Sequence, residues 1–148
     1  MSSHTVFVNG APRLALDVAG QGPLLLLMHG IGGNRSNWRA QREALSAHFT
    51  FAAWDARGYG DSEDYDGPLA FDDFVADVLR VLDHFGVEHA HVLGLSMGGR
   101  IAMRAALLHP GRIATLTLVD THEGFSAFTP RQRQDFVDSR KAPLLAGH

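Results

Sequence analysis

The sequence predicts an α/β protein, a mostly parallel sheet with helices on both faces. Three observations predict it. Short apolar runs alternate with segments of helical composition along the chain. The run 24–28 is uniformly apolar, as a strand covered on both faces must be. Glycine-bearing loops at 29–34, 55–62 and 94–99 leave the carboxyl ends of three expected strands, where ligands bind in such sheets.

The elements follow in order. Residues 5–8 and 14–19 are strand-like and are joined through Asn9-Gly10, a pair that suits a tight turn because both residues tolerate positive φ. This hairpin adds an antiparallel edge. Gly20, Gly22 and Pro23 break the chain before the strand 24–28. A helix is expected at 36–47 and a strand at 50–54. In 71–85, apolar residues at Phe71, Phe74, Val75, Val78, Leu79, Leu82 and Phe85 form one stripe at helical period. Asp72 and Asp73 fall in its first turn, where the helix dipole favours negative charge, and Gly86 suits its C-cap. A strand at 91–95, a helix at 97–109 ended by Pro110-Gly111, and a strand at 113–119 complete the pattern. The tail is polar, with a helix expected at 131–141.

Bulk properties narrow the function. A chain of 148 residues suggests one domain. A net charge of −3 gives no electrostatic case for nucleic acid or an anionic membrane. The absence of cysteine removes disulfides, thiolate metal sites and cysteine nucleophiles. The longest apolar run is far short of the roughly 20 residues of a membrane span, and the start has no basic and then apolar leader pattern, so a cytoplasmic location is the expectation.

Gly94-Leu95-Ser96-Met97-Gly98 fits the pattern G-x-S-x-G between an expected strand and an expected helix, the context of a nucleophile elbow. A serine on so sharp a bend needs glycine two places before and after it, because strand and helix approach closely there. The competing reading is a glycine-rich turn whose serine caps the helix. Acyl transfer also needs N–H donors aimed at an oxyanion. Met97, directly after Ser96, supplies one, and Ile31 in His29-Gly30-Ile31-Gly32-Gly33 is expected to supply the other. His29, Gly30, Gly94 and Gly98 support the two loops. A phosphate cradle would want lysine followed by serine or threonine, and Arg35-Ser36 does not have that spacing. Asp55 and Arg57 are expected to pair with backbone or with each other rather than to act on substrate.

These motifs, with Asp55-Ala56-Arg57-Gly58-Tyr59-Gly60-Asp61-Ser62 between them, resemble the α/β-hydrolase superfamily in order and spacing over residues 5–125. Within it the chain is similar to 3-oxoadipate enol-lactonases, meta-cleavage-product hydrolases and small esterases. The resemblance implies a serine hydrolase acting on a small ester or lactone through an acyl-enzyme, with no metal or organic cofactor. It divides the chain into a core part, 1–125, and the start of a cap, 126–148, without the fold's C-terminal strands. Ile31, Trp38, Leu95, Met97, Phe125 and Phe128 are expected to line an apolar pocket.

A serine needs a base, and the base an acid. The resemblance places the histidine after a final strand that has no counterpart here. His109 ends the helix that starts at the nucleophile, about 20 Å away. His122 lies past the strand 113–119 and is expected to be a surface or pocket residue, and nothing orders His148. Asp120 ends that strand, where some haloalkane dehalogenases carry their acid; its other role would be to cap the next turn. The strand 113–119 would be an open apolar edge, to be covered by the remainder of a longer chain or by a second copy. Readings that stay open are a hydrolase-fold ligand sensor, an inactive truncated product, and a perhydrolase that differs in acyl acceptor.

Overall fold

The computed structural model describes residues 3–147. His148 lies outside them. Six strands form one sheet: β1 (His4–Val8), β2 (Leu14–Ala19), β3 (Leu24–Met28), β4 (Thr50–Trp54), β5 (Ala90–Leu95) and β6 (Ile113–Val119), in the order β1-β2-β4-β3-β5-β6. β1, β2 and β4 pair antiparallel; β4, β3, β5 and β6 run parallel. The helices are α1 (Arg39–Ser46), α2 (Phe71–His84), α3 (Met97–Leu108) and α4 (Pro130–Leu145), with short 3-10 turns at Arg35–Trp38 and Pro110–Arg112.

Strand alternation divides the core in two. Leu24, Leu26, Met28, Ala52, Trp54 and Val92 face one way and pack with Phe74, Val75, Val78 and Leu82 of α2 and Ile101, Ala102 and Ala105 of α3. Leu25, Leu27, Phe51 and Ala53 face the other way and meet Trp38 and Leu45. Helices therefore cover both faces, as expected. β6 is the exception: it stands at the sheet edge with Leu116, Leu118 and Val119 about 40% exposed. Among the described residues no helix is long and apolar enough to cross a membrane.

Besides single-residue shifts at element ends, three features depart from the sequence reading. The facing ends of β1 and β2 fall at 8 and 14 as expected, but all of 9–13, and not Asn9-Gly10 alone, makes the connection. The expected helix 36–47 opens as a 3-10 turn, in which Asn34 accepts from the Ser36 amide at 2.8 Å and the Asn34 amide donates to Asn37 Oδ1 at 3.0 Å. The tail helix spans Pro130–Leu145 rather than 131–141. Thr129 caps it: its hydroxyl accepts from the Gln132 amide while the Gln132 side chain accepts from the Thr129 amide, with Pro130 at the first helical position.

Candidate active site

Ser96 occupies the bend between β5 and α3 with φ 51 and ψ −110, a conformation that costs a non-glycine residue about 1–3 kcal/mol. Packing enforces it. A Cβ on Gly94 would lie 2.4 Å from the Gly98 carbonyl carbon, and one on Gly98 would lie 2.2 Å from the Met28 carbonyl oxygen. Only hydrogen fits at either position. The Ser96 amide donates to the Val119 carbonyl at 3.0 Å, and its carbonyl accepts from the Thr121 hydroxyl at 2.7 Å. The Ser96 side chain makes no capping bond and the residue is exposed, so the helix-cap reading fails.

The loop after β3 backs onto this bend. A Cβ on Gly30 would meet Ser96 Cβ at 3.2 Å and Oγ at 3.8 Å. His29 is fully buried. Its Nδ1–H donates to the Gly30 carbonyl at 2.8 Å, and its Nε2 accepts from the Ala56 amide at 3.1 Å. That pattern requires the neutral ring, and burial accordingly lowers its pKa, although the Gly30 carbonyl and Asp55 pull the other way. His29 thus ties the loop after β3 to the loop after β4 and is not placed to act as a base. Ile31 is half exposed, and its amide donates to no other backbone group among the described residues. Met97 opens α3, where a helix amide has no intrahelical acceptor.

Buried carboxylates hold these loops. Asp55 accepts from the Arg35 amide at 2.7 Å and the Asp61 amide at 2.9 Å and pairs with the Arg35 guanidinium, which also binds Asp17 at 2.9 Å and Asp61. Arg57 grips Asp77 of α2 with two bonds of 2.7 and 2.8 Å, which raises its pKa further. Both residues are structural, as expected. They pair with Arg35 and Asp77 instead of with each other, because the loop turns their side chains to opposite partners.

A cleft of about 570 Å³ opens at Ser96. Ile31, Leu95, Met97 and Phe125 line it as expected. Trp38 does not; it is buried beneath the sheet's other face. Phe128 stands outside the lining; its ring lies parallel to that of His122 and meets Phe125 edge-on.

A family profile described as the alpha/beta hydrolase fold matches residues 23–146. The chain belongs to the alpha/beta hydrolase family. A protein of Azorhizobium caulinodans named "Putative carbamate hydrolase RutD" is 40% identical over 93% of this chain and 50% of its own. Epoxide hydrolase B of Mycobacterium tuberculosis is 42% identical over 64% of this chain and 27% of its own. The crystal structure of a hydrolase from Pseudomonas aeruginosa PA01 superposes with a TM-score of 0.81 at 35% identity, over 93% of this chain and 52% of that one. The chain thus spans between about a quarter and about half of the length of these relatives.

In this alpha/beta hydrolase chain, Asp120 and His122 both line the cleft but do not form a relay with Ser96. His122 Nδ1 is engaged by the backbone of Gly124, at 3.1 Å to its amide and 2.8 Å to its carbonyl. Asp120 has φ 44 and makes no side-chain hydrogen bond among the described residues, so it does not cap the following turn. His109 caps the far end of α3. No described histidine is bonded to the serine hydroxyl. Sequence reading missed Thr121, whose hydroxyl pins the bend and whose side chain a Cβ on Gly99 would strike at 2.7 Å. It also missed Arg35, Arg100 and Arg140, the last two of which line the cleft. Side chains brought in from distant segments leave no local pattern to find.

Proposed function

We propose that this chain carries the nucleophile-bearing part of a serine hydrolase that acts on a small ester or lactone. The strained Ser96 backbone, paired with a free hydroxyl at the mouth of a cleft, carries the reading. Ser96 Oγ adds to the carbonyl carbon. The oxyanion that forms is held by the Met97 and Ile31 amides, each worth about 3–4 kcal/mol in such sites. Collapse expels the alcohol, which takes up a proton, and water then releases the acid from the acyl-serine. The base that relays these protons would come from beyond the described residues, with Asp120 as one candidate to orient it. The same reading makes 126–148 the start of a cap over the cleft and gives the β6 edge a strand partner, supplied by further chain or by a second copy.

A carbamate, the group in the name of the Azorhizobium relative, presents the same carbonyl and is the second reading. The test is p-nitrophenyl acetate with intact-mass detection of acetylated protein. Acetyl-Ser96 is expected, with nitrophenol released at a rate at least several hundredfold below that of a complete relative, since loss of triad members costs about 10⁴. The matching N-methylcarbamate should leave a longer-lived adduct. Equal nitrophenol release by Ser96→Ala would defeat the proposal, and conversion of an epoxide without any ester cleavage would favour the chemistry named for the Mycobacterium relative instead.

A further inference from the structure

The cleft beside Ser96 contains a guanidinium that has no carboxylate partner among the described residues. Arg100 stands one turn along α3 from Ser96, on the same side of the helix. It lines the cleft. Its guanidinium carbon lies 5.0 Å from the Phe71 ring centroid and 4.8 Å from that of Phe125. Its Nε is buried with no hydrogen-bond partner among the described residues. Arg35, Arg57 and Arg80 each hold a carboxylate; Arg100 has none within 4.0 Å among those residues. Two aromatic faces fix the group and shed its water without neutralising it. A partly buried cation held this way attracts an anion that can reach it.

The rest of the lining points the same way. The Arg140 guanidinium carbon rests 3.5 Å from the Phe136 centroid, and among the described residues the group donates only to the Phe136 carbonyl at 3.3 Å and the Ser139 hydroxyl at 3.1 Å. Among the described residues, Asp120 is the one carboxylate of the lining, so two guanidiniums share the cleft with one acid.

Resting on the serine-hydrolase reading, we propose that Arg100 is an anion-recognition residue and that the substrate bears a carboxylate on the group flanking the carbonyl that Ser96 attacks. The test uses two alkyl fluorophosphonates that are identical except that one chain ends in a carboxylate and the other in its methyl ester. Labelling of Ser96 is followed by peptide mass spectrometry. The carboxylate probe should react about tenfold faster or more with the unaltered chain, and less so at high salt. Arg100→Met should bring the ratio near one, and Arg100→Lys should keep part of it. A ratio near one in the unaltered chain, which needs no variant to fold, overturns the inference while leaving the serine reading intact. So does a ratio that Arg100→Met leaves unchanged. Failure of both probes to label Ser96 overturns the serine reading and this inference with it.

Discussion

A positive φ at Ser96 is a property of its neighbours as much as of the serine. Strand and helix can meet at this bend only while Gly94 and Gly98 present hydrogen to the backbone across from them. Gly98→Ala should therefore destabilise the chain by about 2 kcal/mol or more, since the added methyl meets a main-chain carbonyl that cannot turn aside, unlike a flexible side chain. Urea unfolding measures this, and a loss below about 0.5 kcal/mol would mean the helix shifts freely. The G-x-S-x-G spacing made this bend legible, because its cause is local sterics. Thr121 was not legible. Its partner, Ser96, is 25 residues away, and only the β5–β6 pairing brings the two together.

At the scale of elements, α2 serves as a clamp. Its apolar stripe was readable by period and packs as expected on the sheet. Its polar side was not. Asp77 is fully buried and accepts from Arg57 of the loop after β4 and from Arg80, which in turn donates to the Asn9 and Pro12 carbonyls beside β1. Asp77→Ala leaves two partly buried guanidiniums without their shared acid. A loss of about 3–5 kcal/mol is expected, the cost of breaking a buried pair from one side. Denaturant unfolding checks it, with a change under about 1 kcal/mol as the contrary result. Nothing in the sequence marks Asp77, because a solvated and a buried carboxylate are spelled alike until the loops are placed.

At the scale of the whole molecule, the buried neutral His29 links pH to folding. Burial holds its pKa below the ordinary 6.5 in the folded chain. Between that lowered value and 6.5 the unfolded chain binds a proton that the folded chain refuses, so unfolding takes up protons and stability falls as pH drops. Above 6.5 both forms are neutral and this contribution is complete. The midpoint of urea unfolding should decline below pH 6.5 by more in the unaltered chain than in His29→Gln. Equal declines would contradict the role given to burial.

The succession of strands and helices along the chain, and the glycine loops at the strands' carboxyl ends, were readable because they follow from periodicity and from the chemistry of tight turns. The charge lining of the cleft was not, because Arg100 and Arg140 come from α3 and α4 and meet only across the finished surface. The central claim, that this fold presents Ser96 as a nucleophile, is tested most directly by fluorophosphonate treatment of the folded chain, followed by peptide mapping. A single adduct on the peptide containing Ser96, lost on prior unfolding, is the expected result. An unmodified chain, or an adduct that persists in Ser96→Ala, would contradict it.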